Sequence, residues 1–211
     1  HNQGVAGSSP AGTTKHLRYF VGAFSLLLFN LILKFAGNIK GMKKFFVILS
    51  LLFSLTLSAQ DAEKDTRLHV GDKMPKFTLN SDVYGKVTSR SLKGKVVLVS
   101  LFATWCPPCQ LELAAVQKDL YPKYKDNEDF VLLVVGREHN DADLQEYNKK
   151  KNFTFPLYPD VDREFFSLFA DSTIPRTFLF DKKGKVVLSE IGYSEEGFEE
   201  LMETIESLLQ K

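Results

Sequence analysis

Seven residues in succession, Val96-Val97-Leu98-Val99-Ser100-Leu101-Phe102, carry no charge and a single hydroxyl. A strand with one wet face alternates apolar and polar side chains. This run does not, so it is predicted to be a central strand with both faces covered. Trp105-Cys106-Pro107-Pro108-Cys109 follows at once and holds both cysteines of the 211-residue chain. Proline fits the first turn of a helix, where its missing N–H has no intrahelical partner. The segment therefore reads as strand, short loop and helix N-terminus. At such a terminus the unpaired N–H groups and the positive end of the helix dipole stabilise a thiolate. The thiolate is the reactive form, and C-x-x-C sites lower the thiol pKa from about 8.5 to between about 3.5 and 7.5. A bridge across so short a loop constrains little of the unfolded chain. The pair is read as a redox site rather than a structural staple.

Charge divides the chain in two. All 26 Asp and Glu lie after residue 60, whereas six of the 27 Lys and Arg lie before it. The body thus sets 21 basic against 26 acidic side chains, a formal −5 that the whole-chain +1 conceals. A mildly acidic body without a basic stripe gives no footprint for nucleic acid. About 150 residues are enough for one full core. Gln110 stands where haem attachment after C-x-x-C needs His, and further cysteines for a zinc site do not exist. No metal or cofactor is expected beyond the Cys106–Cys109 pair itself.

Residues 42–59 have the layout of a secretory signal peptide: Met42-Lys43-Lys44, a predominantly apolar region of thirteen residues from Phe45 to Leu57, then Ser58-Ala59-Gln60 with cleavage after Ala59. Thirteen is short for a membrane span of about 20 residues, and an uncleaved anchor is the rival reading. Residues 1–41 contain no methionine, and Gly7-Ser8-Ser9-Pro10 is encodable by a run resembling the T-arm of a transfer-RNA gene. They are read as an upstream extension called too early, with Met42 as initiator. A membrane helix over Leu17–Phe35 is the alternative. Residues 60–67 are expected to be a flexible leader.

In the body, a hairpin is expected around Asp82–Lys86 with Gly85 in its turn. A helix is expected from Pro107 to Leu120, with Leu111, Leu113, Ala114, Val116, Gln117 and Leu120 forming its pattern. Phe130–Val135 reads as a second buried strand, and Asp141–Lys151 as a surface helix turning Leu144 and Tyr147 inward. Phe153–Tyr158 reads as a short extended piece and Arg163–Ala170 as a small helix. Thr177–Phe180 and Lys185–Leu188 make a hairpin about Gly184. Glu195–Leu209 is amphipathic, with Phe198, Leu201, Ile205, Leu208 and Leu209 on its apolar side. Strands alternating with helices imply an α/β fold with a mixed sheet flanked on both faces.

Phe102-Ala103-Thr104-Trp105-Cys106-Pro107-Pro108-Cys109 after a buried strand resembles the thioredoxin superfamily, and within it the TlpA/ResA-like branch of secreted thiol-disulfide oxidoreductases. Val70-Gly71-Asp72-Lys73-Met74-Pro75-Lys76-Phe77-Thr78-Leu79 is similar to that branch's N-terminal segment. Leu92-Lys93-Gly94-Lys95-Val96-Val97-Leu98-Val99 is similar to its lead into the active-site strand. Ile174-Pro175 before Thr177–Phe180 resembles the superfamily's cis-proline segment, and Glu112 occupies an acidic position often seen there. The resemblance covers residues 68–211 and implies a thioredoxin-like fold with an N-terminal hairpin and an extra helix and strand inserted between Arg137 and Ala170. Two departures stand out: Ser100 replaces a buried Asp or Asn, and Phe102 replaces a common Trp.

The resemblance implies that Cys106 attacks a partner disulfide and Cys109 resolves the mixed disulfide. Glu112, or water, then takes over the proton-accepting role that Ser100 lacks. Ile174, left free by a cis Pro175, would pair with an extended substrate strand. Trp105, Pro107 and Pro108 would shape the substrate-facing loop. The expected protein is periplasmic and exchanges disulfides with protein partners. It is expected to act as a reductase in cytochrome c maturation or thiol repair, fed by a membrane thiol-disulfide donor. An oxidase or isomerase of the same class, a copper-handling chaperone using Cys106, Cys109 and His139, and a redox-gated binding module are the alternatives.

Overall fold

The computed structural model describes residues 65–210. The expectations for residues 1–41, for 42–59 and for the leader up to residue 64 lie outside them. In chain order the elements are β1 (Thr78–Ser81), β2 (Gly85–Thr88), β3 (Val96–Phe102), α1 (Pro107–Ala115), a π-helical stretch (Val116–Leu120), α2 (Tyr121–Tyr124), β4 (Phe130–Arg137), α3 (Asp141–Lys151), β5 (Leu157–Asp160), a 3-10 turn (Phe166–Leu168), β6 (Arg176–Phe180), β7 (Val186–Ile191) and α4 (Glu195–Leu209). Among the described residues no helix is long and apolar enough to cross a membrane.

Five strands form one sheet in the order β5-β4-β3-β6-β7, and β1 pairs with β2 in a separate hairpin. The charge-free run is β3, in the middle, with every residue buried. It runs parallel to β4 and antiparallel to β6, so the sheet is mixed. Alternate side chains of β3 enter two cores. Val96, Leu98 and Phe102 join Leu113, Val116 and Leu120 behind α1, Leu144 and Tyr147 of α3, and Phe198, Leu201 and Ile205 of α4. Val97, Val99 and Leu101 join Leu79, Leu92, Phe165, Phe166, Phe169 and Phe178 on the opposite face. That second face is covered by the hairpin, the 3-10 turn and the N-terminal segment. Each buried Leu or Phe contributes on the order of 1.5–3 kcal/mol, so both layers matter to stability.

Two helices begin and end where their chemistry directs. Asn140 and Asp143 form a reciprocal capping box at α3, and three lysines, Lys149 to Lys151, occupy its last turn. Ser194 accepts from the Gly197 N–H at the start of α4, beside Glu195 and Glu196.

Several expectations need correction. The leader is docked at its end: Thr66 bridges to Ala170, and the N–H groups of Arg67 and Leu68 donate to the Phe169 carbonyl. Within the helix pattern Leu111 is 61 % exposed, while its polar neighbour Glu112 is buried. The helix turns π-helical over Val116–Leu120 and continues past Leu120 into α2. The extended piece over Phe153–Tyr158 is displaced to Leu157–Asp160. The Asn148 side chain instead binds both the N–H and the carbonyl of Phe153, and the Phe153 and Phe155 rings stack at 4.8 Å. The helix expected over Arg163–Ala170 shortens to one 3-10 turn. Arg163 takes a left-handed φ of 59°, and the Asp160 carboxylate accepts the N–H groups of Phe165 and Phe166.

Candidate active site

The site lies where β3 ends at the centre of the sheet. Cys106 has extended backbone angles (φ −89°, ψ 109°) and caps α1, with Pro107 and Pro108 as the first helical residues. Cys106 and Cys109 are joined by a disulfide with Cα atoms 5.3 Å apart. The prolines carry no N–H, so the first amide aimed at the cap is that of Cys109, which donates to Cys106 Sγ at 3.3 Å. The next, Gln110 N–H, donates to the Cys106 carbonyl. Cys106 is 3 % exposed and Cys109 not at all. The sulfur at the helix tip is therefore the one an incoming group reaches first.

The Ile174–Pro175 peptide bond is cis. It brings the Ile174 carbonyl oxygen to 3.9 Å from Cys106 Sγ. The loop holding it is gripped by the fully buried Arg176, whose Nε donates to the Ser172 and Thr173 carbonyls and whose guanidinium also binds the Thr66 hydroxyl. Trp105, 61 % exposed, stands on the other side of Cys106, with the Arg137 guanidinium 5.7 Å from its ring. Beside it opens a cleft of about 480 Å³ walled by Trp105 and Tyr147 and edged by Asp143, Glu146 and Lys150.

Behind the sulfurs lies Glu112, one helical turn after Cys109 on the same face of α1. Its Oε1 accepts from the Ser100 hydroxyl at 2.6 Å and from the Thr177 hydroxyl at 3.2 Å, whereas Oε2 has no hydrogen-bond partner in the protein. Burial pushes its pKa up to about 7, against the two hydroxyl hydrogen bonds, with the negative charge of Glu190 adding to the rise. Ser100, flagged by its small side chain, thus makes room for an acid delivered from the helix and hydrogen-bonds to it. Such a carboxyl is poised to accept and return a proton near neutral pH.

His139, the copper candidate of the alternative reading, is engaged by the active-site loop. Its Nε2 accepts the Thr104 N–H at 3.0 Å. Gly136 lets it fold back, since a Cβ there would lie 2.7 Å from Leu144 Cδ2 and 3.3 Å from His139 Cδ2. Among the described residues no group of three or more His, Cys, Asp or Glu is gathered as a metal site. Reading the sequence missed Thr177, Arg176 and this role of His139. Only the strand order reveals them, and nothing in their local sequence marks them.

A cysteine pair between the central strand and its helix, facing a cis-proline on the antiparallel neighbour, defines the thioredoxin class of fold. Residues 70–189 match the AhpC/TSA family, and the chain belongs to it. The thiol-disulfide oxidoreductase ResA of Bacillus cereus is 29 % identical over 150 residues, covering 71 % of this chain and 82 % of that protein. The sporulation thiol-disulfide oxidoreductase A of Bacillus subtilis is 29 % identical over 154 residues, covering 70 % and 87 %. A solution structure from Bacteroides thetaiotaomicron, provisionally assigned as a protein disulfide isomerase, superposes with a TM-score of 0.67 at 33 % identity, covering 70 % of this chain and 94 % of that one. The enzyme class is thiol-disulfide oxidoreductase.

Proposed function

We propose that the protein is an extracytoplasmic reductase of protein disulfides, working through Trp105-Cys106-Pro107-Pro108-Cys109. The observation that carries this reading is the position of Cys106. Its sulfur is at a helix tip, beside exposed Trp105 and 3.9 Å from the Ile174 carbonyl. An extended partner segment laid against Ile174 forms backbone hydrogen bonds that tolerate many sequences, and it presents its disulfide to Cys106. In the reduced enzyme, the Cys106 thiolate attacks that disulfide. One partner sulfur becomes bonded to Cys106 and the other leaves as a thiolate. Glu112 accepts the Cys109 proton. The Cys109 sulfur then attacks Cys106, closing the intramolecular disulfide and expelling the second partner sulfur. The partner gains two electrons and two protons.

Direction follows from how well the thiolate is held. Strong stabilisation of the reduced form makes a site oxidising. Here prolines remove two N–H donors from the first turn, and the ionisable group buried one turn beyond Cys109 is an acid. Both features disfavour a thiolate. The signal-like segment at residues 42–59 supports export, and an oxidising compartment requires dedicated reductants. Electrons would then arrive from a membrane thiol-disulfide donor, for cytochrome c maturation or thiol repair.

Cys109→Ser stalls the reaction at the mixed disulfide and should accumulate covalent adducts with partner proteins in the native host. Failure to accumulate any would remove the exchange mechanism. Equilibration of the purified protein with dithiothreitol and glutathione should place its potential near about −270 mV, whereas a value near about −120 mV would reverse the direction to an oxidase.

A further inference from the structure

The polar groups around Glu112 continue across the sheet. Ser100 of β3 is in register with Thr177 of β6, and Thr177 is in register with Glu190 of β7. Residues opposite one another on neighbouring strands share a face. Ser100, Thr177 and Glu190 therefore form a row beneath α1 and α4 that leads from the buried centre to the β7 edge of the sheet. Glu112 descends onto this row from α1 and uses Oε1 on its first two members. Its remaining oxygen, Oε2, is buried and makes no hydrogen bond in the protein.

Glu112 and Glu190 together help wall a cavity of about 10 Å³, which Thr177 and Tyr193 also line. That is about the smallest space able to hold one water; the two carboxyls and the Thr177 hydroxyl supply the polar partners a buried water requires, among apolar walls from Leu98, Val116, Phe198 and Leu201. Glu190 also lines a wider opening of about 330 Å³ with Tyr193 and Ser194. Glu190 thus borders both the internal cavity and the outside, as do Tyr193 and Ser194.

The Glu190 carboxylate lies against the first turn of α4. A Cβ at Gly197 would lie 3.1 and 3.2 Å from its two oxygens, so the missing side chain of Gly197 lets it rest against the first turn of the helix. The groups that influence this region electrostatically are acidic: Glu112 of α1 and Glu200 of α4 beside Glu190, with Asp119 and Glu195 acting on Tyr193. Glu190 itself is half-buried, and burial, then the charge of Glu200, hold its carboxyl above the usual carboxylate range. An acid so placed can carry a proton as well as lose one.

We propose that Glu190 is the positioning residue through which Glu112 exchanges its proton with solvent, across the one-water gap between them, each time the Cys106–Cys109 pair opens or closes. The proposal rests on Glu112 being the base for Cys109. In the closing direction the proton leaves Cys109 for Glu112, passes through the bridging water to Glu190, and is released at the β7 edge. As the Cys109–Cys106 bond forms, the Cys106–partner bond breaks and its electron pair leaves with the partner sulfur as a thiolate.

The test follows the breakdown of a pre-formed mixed disulfide between Cys106 of the purified protein and a small monothiol, as a function of pH and in H₂O against D₂O. General acid–base steps are worth about 10²- to 10⁴-fold, and blocking the proton's exit rather than its acceptor should slow breakdown by about tenfold. Glu190→Gln, which keeps the side-chain shape, should show that loss with a larger solvent isotope effect. It should also lower the Glu112 midpoint, read by infrared titration of the carboxyl in the oxidised protein. Glu190→Asp should restore most of the rate, and Glu200→Gln should remain within twofold of the parent. A Glu190→Gln protein with the parent's rate, isotope effect and Glu112 midpoint would overturn the relay. Glu112→Gln separates the two ideas. If it breaks down the mixed disulfide at the parent rate, the base assignment fails. If it is slow while Glu190→Gln is not, only the relay fails.

Discussion

Glu112 is an acid placed where a hydrophobic residue would pack, and its cost is conditional on pH. In the unfolded chain such a carboxyl titrates near 4.5, and in the fold burial raises it to about 7. Between those values the native protein binds more protons than the unfolded chain, so stability falls as pH rises. The contribution is fully present below pH 4.5 and lost by the time pH has passed 7. The gap between the two values corresponds to about 3 kcal/mol. Glu112→Gln keeps the shape and cannot ionise, so it should remove this slope. In urea denaturation of the oxidised protein, the variant should match the parent near pH 4.5 and exceed it by up to about 3 kcal/mol at pH 8. Equal stability of the two proteins at pH 8 would mean that the buried carboxyl is not destabilised by burial. Glu112 was legible in the sequence only through the resemblance. Helical periodicity alone favoured its neighbour Leu111, because hydrophobicity cannot tell a buried base from a surface acid.

The active-site loop is held by three separate elements. The Thr104 peptide donates its N–H to His139, which follows β4, and accepts at its carbonyl from Gln110 Nε2 of α1 at 3.0 Å. Gln110 in turn accepts from Lys151 Nζ at the last turn of α3. An imidazole that accepts at Nε2 must be neutral, and burial lowers the His139 pKa below its usual 6.5 in agreement with that. The unfolded chain then binds the extra proton first. This contribution is complete above pH 6.5 and is lost as pH falls through the lower native value. His139→Phe removes the acceptor at all pH values. An unsatisfied amide costs about 1–3 kcal/mol, so Thr104 N–H exchange with solvent should speed up by about tenfold or more. The parent should approach the variant's exchange, corrected for intrinsic rate, only in acid. Unchanged exchange in the variant would show that the loop does not depend on this bond. Helices α3 and α4 could be read from sequence to their ends, because a clear inward pair or stripe marks them. The loop contacts could not, since Thr104, Gln110, His139 and Lys151 are ordinary residues until β4 and α3 are folded against β3.

The sheet order places the redox pair in one of two core layers, and the layer on the opposite face does not include it. One layer packs behind α1 and the other beneath the hairpin and the 3-10 turn. A bridge three residues apart closes a loop worth only about 2 kcal/mol in chain entropy. The fold is therefore expected to persist when the pair is reduced, as an enzyme that cycles between both states requires. Alternating strands and helices were enough to read that architecture, whereas the proton row from Ser100 to Glu190 became visible only with the register of β3, β6 and β7. The same independence gives a measure of direction that needs no redox buffer. Oxidised, reduced, folded and unfolded protein form a closed thermodynamic cycle. The difference in folding stability between the two redox forms therefore equals the shift of the Cys106–Cys109 potential from its value in the unfolded chain, about 1.4 kcal/mol for every 30 mV. A reductase stabilises its disulfide form on folding, and an oxidant stabilises its dithiol form. Paired denaturant titrations of the oxidised protein and of protein kept in excess dithiothreitol should show the oxidised form to be the more stable. A reduced form more stable than the oxidised one would reverse the proposed flow of electrons, while leaving the fold and the cysteine chemistry as described.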